Sequence, residues 1–200
     1  MGDAVLEVYH KAGKKDSGYG VSDIGVGITD GSASGQIYVL EFDMMVNKVG
    51  SYNSSSNYFT RIRIGGASNG GLWQDFTASG NDIYCRINSA VNGQVRLGEF
   101  GEWFHVKMIW NAINPSNINV TDPTAHTYEY YLLTYDSEGN ETLAAYRSAY
   151  SSAVASNKAL NSIFFCGSEN SFTFDQQYFL DNITYIRTAD TSILPEVVTE

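Results

Sequence analysis

With 200 residues, 43% of them apolar, the chain is long enough for one domain with a sandwich-sized core. Only 17% of its residues are charged and the net charge is −10, which excludes the broad basic footprint that a nucleic acid or an anionic membrane demands. No apolar run approaches the roughly 18 residues of a membrane span, and the Met1-Gly2-Asp3 start has neither the charged nor the apolar region of a signal peptide.

Strand-like runs separated by Gly, Asn, Ser and Asp clusters follow one another along the chain, with no amphipathic helix longer than about three turns. The first run is Ala4 to His10. Lys11 to Gly35 reads as a loop holding one short strand near Val26. In Gln36 to Val46 the side chains of Tyr38, Leu40, Phe42, Met44 and Val46 alternate against Glu41 and Asp43. Tyr58 to Gly65 sets Ile62 and Ile64 against Phe59, Arg61 and Arg63; Leu72 to Phe76 is a further candidate strand. Asp82 to Ile87 sets Ile83, Cys85 and Ile87 against Tyr84 and Arg86, and Gln94 to Leu97 sets Val95 and Leu97 against Gln94 and Arg96. Four of the six arginines therefore share one face of a meander whose other face is dry. In Glu102 to Asn111, Phe104, Val106, Met108 and Trp110 alternate against Trp103, His105 and Lys107, with Trp103 assigned to core packing. Thr127 to Tyr135, Thr142 to Ser148, Asn161 to Cys166 and Tyr178 to Thr188 complete the strands, with one helical turn expected within residues 151 to 160. Residues 1–193 form a single domain and 194–200 a linker-like tail.

Ten to twelve strands of this kind pack as two antiparallel sheets, an all-β sandwich of jelly-roll type. Cys85 and Cys166 sit in strand-like runs and read as buried thiols, with a single disulfide as the alternative. His10, His105 and His126 are far apart in sequence and none has a histidine at helical spacing, so no zinc string exists. Gly66-Ala67-Ser68-Asn69-Gly70 fits the string of a nucleophile elbow, but it leads into a Gly/Asn-rich loop rather than a helix and reads as a plain loop.

Four segments, Gly2-Asp-Ala-Val-Leu-Glu-Val, Ile37-Tyr-Val-Leu-Glu-Phe-Asp, Gly101-Glu-Trp-Phe-His-Val-Lys-Met and Phe179-Leu-Asp-Asn-Ile-Thr-Tyr, together resemble the concanavalin A-like lectin/glucanase jelly rolls, especially laminin G-like domains. Galactose-binding-like jelly rolls of carbohydrate-binding modules share the Asp-Asn ending and are the rival fold. Either resemblance implies sugar recognition or adhesion by a secreted or cell-surface module, joined to other domains of a larger protein. It also implies a structural calcium, with Asp181 of the closing strand and Asp3 near the first strand as ligands; the alternative is that Asp181 accepts backbone hydrogen bonds or pairs with a cation. Some relatives of this fold are retaining β-glucanases with paired carboxylates on one strand. Glu41 and Asp43 match the first half of that pattern, but Met45 and Val46 stand where the second carboxyl, needed roughly 5 to 5.5 Å from the nucleophile, should be.

The arginine face is the remaining candidate site. Aromatic and amide side chains suit a pyranose, and guanidinium groups suit a sugar that carries a carboxylate or sulfate. Phe59, Arg61, Arg63, Trp73, Tyr84, Arg86, Gln94 and Arg96 are the expected sugar-binding residues. The alternative is a solvated face on which Glu41 and Asp43 neutralise Arg61 and Arg63. The expectation is thus a noncatalytic carbohydrate-binding, lectin-like module of a secreted bacterial protein, without enzymatic activity, whose partner is a polysaccharide, an acidic one before a neutral one. A structural or adhesive protein, such as a phage fibre or decoration domain, is the second reading, and a divergent glycoside hydrolase the third.

Overall fold

The computed structural model describes residues 5–10, 24–28, 35–47, 59–65, 71–86, 93–113, 128–149, 151, 154, 160, 162–166 and 176–197. Among the described residues, twelve strands form two six-stranded antiparallel sheets, as the alternation predicts. Sheet A contains β1 (Leu6–His10), β12 (Gln176–Thr188), β3 (Ile37–Val46), β8 (Trp103–Asn111), β9 (Tyr128–Tyr135) and β10 (Glu141–Ala149), in that order across the sheet. Sheet B contains β2 (Ile24–Gly27), β11 (Ser162–Cys166), β4 (Thr60–Gly65), β5 (Leu72–Ser79), β6 (Asp82–Arg86) and β7 (Gln94–Glu99).

The inward rows of both sheets meet in one core. Tyr38, Leu40, Phe42, Met44 and Val46 of β3 join Val106, Met108 and Trp110 of β8, and these pack with Ile62, Ile64, Leu72, Phe76, Ile83 and Cys85 of sheet B. Fully burying each large apolar side chain contributes about 1.5 to 3 kcal/mol, so these rows dominate the stability. Cys85 is a free, buried thiol whose sulfur lies 3.8 Å from the Tyr130 hydroxyl, and its burial pushes its pKa up to about 12. Such a thiol is inert packing.

Two glycines at the sheet B hairpins have different causes, one close approach and one a positive φ. A Cβ on Gly71 would sit 2.0 Å from the Ile64 carbonyl oxygen, so only glycine lets β5 pair with β4 there. Gly80 takes φ +63 in the Gly80-Asn81 connection between β5 and β6, a conformation that costs glycine nothing.

Two features depart from the sequence reading. The three arginine-bearing strands are not consecutive neighbours, because β5 lies between β4 and β6 and runs to Ser79. The outer face of sheet A is also apolar at one end: Ile37, Val39, Ile109, Tyr131 and Leu133 form a second buried cluster, and Leu194 and Val197 of the C-terminal segment pack against it. The turn expected within 151–160 falls largely outside the described residues; Ser151 there donates from Oγ to the Gly71 carbonyl and accepts from the Val154 N–H.

Trp110 is fully buried and stacks obliquely on Tyr130, with ring centroids 5.6 Å apart. Trp110→Ala is expected to lower the free energy of unfolding by about 3 to 5 kcal/mol in urea titration, with the slope unchanged.

Candidate functional site

The outer face of sheet B is built by register. Arg63 on β4 stands between Phe164 of β11 and Trp73 of β5. Arg61, one pleat along, stands opposite Asp75 of β5, which in turn faces Arg86 of β6, which faces Gln94 of β7. In the next row Thr77 faces Tyr84 and Tyr84 faces Arg96. Strand alternation decides which side chains reach this face, since the residues at the intervening positions, Ile62, Ile64, Ile83 and Cys85, have gone into the core, and strand pairing decides their order across it.

Each guanidinium is held differently. Arg61 makes a two-pronged bond to Asp75, Nε to Oδ1 at 2.6 Å and Nη2 to Oδ2 at 3.1 Å, and its Cζ lies 5.5 Å from the centre of the Trp73 ring. Arg63 is only 3% exposed, with its Cζ 4.6 Å from the Phe164 ring centre. Arg86 is likewise nearly enclosed, at 8%. Arg96 lies at the rim, donating to Asp82 at 2.7 Å and to Glu99 at 2.8 Å. The Tyr84 hydroxyl reaches the other Asp82 oxygen at 3.3 Å.

Seven of the eight expected residues, Arg61, Arg63, Trp73, Tyr84, Arg86, Gln94 and Arg96, therefore lie on this face. Phe59 does not. It precedes the first residue of β4, and its side chain is fully buried edge-on to Tyr178 in the core, because the alternation does not extend past the strand end. Asp75 and Phe164 belong to the face and were missed, although alternation in Trp73-Gln-Asp75 and Ile163-Phe-Phe165 places both there. The neutralising role expected of Glu41 and Asp43 is also corrected. They sit on sheet A, and Asp75 is the partner of Arg61.

Glu41 and Asp43 instead clamp a histidine on the outer face of sheet A. His105 lies between them, Nδ1 at 2.5 Å from Asp43 Oδ1 and Nε2 at 2.8 Å from Glu41 Oε1. The Tyr135 ring is edge-on to the imidazole at 4.5 Å, and its hydroxyl donates to Glu41 and Glu141. Lys107 donates to Glu141 at 2.6 Å, and the Asn182 amide donates to Asp43. Burial and the two carboxylates hold the Tyr135 hydroxyl far above the ordinary phenol range, so it keeps its proton. Three carboxylates crowd this network, which is the wrong sign for an acidic sugar. Trp103, assigned to the core, is 46% exposed on this same face, as its own strand's alternation requires.

Of the expected calcium ligands, one lies among the described residues. Asp181 accepts the backbone N–H of Asn182 at 2.7 Å, Asp3 lies outside the described residues, and no group of three or more His, Cys, Asp or Glu side chains is placed to hold a metal among the described ones.

No protein-family model matches the chain and no curated protein matches it. Among solved structures it is similar to the family 7 alginate lyase A1-II′ in complex with substrate, over 92% of this chain and 78% of that one, at 12% identity and a TM-score of 0.50. It is also similar to AlgAT5, an alginate lyase of polysaccharide lyase family 7, with the same coverages, 10% identity and a TM-score of 0.51. At these identities the likeness is one of fold, and it is the concanavalin A-like jelly roll rather than the galactose-binding-like rival. The expectation of a noncatalytic binding module is corrected by these neighbours: both are named as alginate lyases, one of them in complex with substrate.

Burial disfavours a proton on His105, but its hydrogen bonds to Glu41 and Asp43 outweigh that and raise its pKa above the ordinary 6.5. Because the folded value stands above the unfolded one, the stabilisation is complete below about pH 6.5 and is lost as pH rises through the folded value. Thermal melts across this range should show the wild type losing stability on the alkaline side and His105→Gln losing much less.

Proposed function

We propose that this chain is an enzyme of the polysaccharide lyase type that cleaves a uronate-bearing glycan on the outer face of sheet B. The reading rests on the gathering of Arg61, Arg63, Arg86 and Arg96 on one sheet face of a chain whose net charge is −10. Asp75 pairs with Arg61, and Asp82 and Glu99 both pair with Arg96 at the rim. Nearly enclosed guanidinium groups act in a medium of low effective dielectric, where a bound carboxylate is held more strongly than in water.

Tyr84, Arg86, Gln94 and Arg96 form a block of two residues on each of two neighbouring strands. Cleavage of a uronide by elimination removes the proton on the carbon next to the carboxyl group. A carbon–carbon double bond forms as the neighbouring carbon–oxygen bond breaks, and the departing oxygen takes up a proton. Arg86 and Gln94 hold the carboxylate and draw charge from the carbon that loses its proton. Tyr84, one pleat from Arg86, exchanges the proton. Arg61 and Arg63, steadied by Trp73 and Phe164, take the carboxylate of an adjoining sugar.

Incubation with alginate is expected to build up the ultraviolet absorbance of an unsaturated uronide. Tyr84→Phe should lower kcat by about 100- to 10,000-fold with the melting temperature unchanged, and Arg86→Ala should lower kcat/KM. If neither alginate nor another uronate polymer gives an unsaturated product, the proposal fails.

A further inference from the structure

The outer face of sheet A carries a second aromatic surface, remote from the arginines. Trp103 of β8, Met45 of β3, Phe179 of β12 and Glu7 of β1 stand in one row across four strands. One pleat along, Tyr9 of β1 faces Gln177 of β12, whose backbone carbonyl accepts the N–H of Asn47. Trp103 and Tyr9 are 46% and 53% exposed, the two most exposed aromatic side chains among the described residues. They lie three strand spacings apart, about 14 Å, with Met45 and Phe179 half-buried between them.

Between the aromatics runs a fixed polar chain. Asn47 Nδ2 donates to Gln177 Oε1 at 2.5 Å, and Gln177 Nε2 donates to Glu7 Oε1 at 2.6 Å. The Gln177 amide is thereby fixed in orientation, leaving the Asn47 carbonyl and the second Glu7 oxygen as acceptors beside an apolar platform. A flat apolar surface edged by fixed acceptors matches a pyranose, which has a C–H face and a rim of hydroxyl donors. The charge on this side excludes an acidic chain: Glu7, Asp43 and Asp181 lie on the same face, while the nearby cations His105 and Lys107 are bonded to carboxylates.

We propose that this end of the outer face of sheet A is a second glycan site, which takes a neutral polysaccharide with Trp103 and Tyr9 as its stacking residues. It stands independently of the cleavage assigned to sheet B. An enzyme built this way would hold a neutral polymer on one side of the sandwich while it acts on an acidic one on the other.

Electrophoresis of the 200-residue chain through native gels containing hydroxyethylcellulose, galactomannan or alginate tests this. Retardation by at least one of the neutral polymers is expected, at least tenfold weaker in Trp103→Ala and in Tyr9→Ala and retained in Arg63→Ala. Both aromatics are exposed, so the variants should melt as the wild type does. Absence of retardation by both neutral polymers, or retardation undiminished in the Trp103→Ala, Tyr9→Ala double variant, overturns the proposal. So does a sedimentation mass that falls from dimer to monomer in Trp103→Ala, since the platform would then be an interface between copies. Turnover of alginate in the same variants reports on sheet B alone, so the two readings fail separately.

Discussion

Everything chemical about this sandwich depends on one constraint: both sheets commit alternate side chains to the same dry interlayer. Once Ile62, Ile64, Ile83 and Cys85 point inward from sheet B, and Leu40, Phe42, Val106 and Met108 point inward from sheet A, the remaining residues are divided between two outer surfaces that cannot exchange members. A one-residue slip in β4 would send Arg61 and Arg63 into the core, at a cost no partner there could offset. Register is therefore fixed by the core and handed on to the site. The cross-strand order Arg61, Asp75, Arg86, Gln94 is a by-product of where the isoleucines and phenylalanines must go.

The two outer surfaces have opposite electrostatic character. Sheet B presents arginines steadied by aromatic rings and by Asp75, which limits the side-chain freedom to be lost when an anion binds. Sheet A presents Glu41, Asp43 and Glu141 around His105, Tyr135 and Lys107. Its hydrogen bonds are largely satisfied within the network, and His105 uses both ring nitrogens, so this histidine serves strand pairing rather than proton exchange with a substrate. A histidine beside a tyrosine is by itself suggestive of acid–base chemistry; the carboxylates on both imidazole nitrogens are what argue against it here.

Much of this was legible in the sequence, because period-two alternation is a local property. The inward rows of β3 and β8 and the outward placement of Arg61, Arg63, Tyr84, Arg86, Gln94 and Arg96 all follow from it. Phe59 was misplaced because alternation holds only while the strand lasts, and β4 begins at Thr60. Trp103 was assigned to the core against its own strand's pattern, on the strength of a Gly-Glu-Trp context that carries less information than the pleat. What no local pattern contains is which strands become neighbours. That Asp75 would reach Arg61, and that Glu41 and Asp43 would grip a histidine more than sixty residues away, depends on strand order. The proposal of an enzyme in place of a recognition module lies further still from the sequence, since its support is the likeness of the whole sandwich to named lyases and no motif within it.

A crystal structure of the Tyr84→Phe variant with an alginate tetrasaccharide tests the central claim most directly. The account predicts sugar carboxylates within about 3 Å of the Arg86 and Arg61 guanidinium groups, with the scissile linkage over residue 84. A tetrasaccharide seated on the His105 side, or one whose carboxylates turn away from all four arginines, would contradict it.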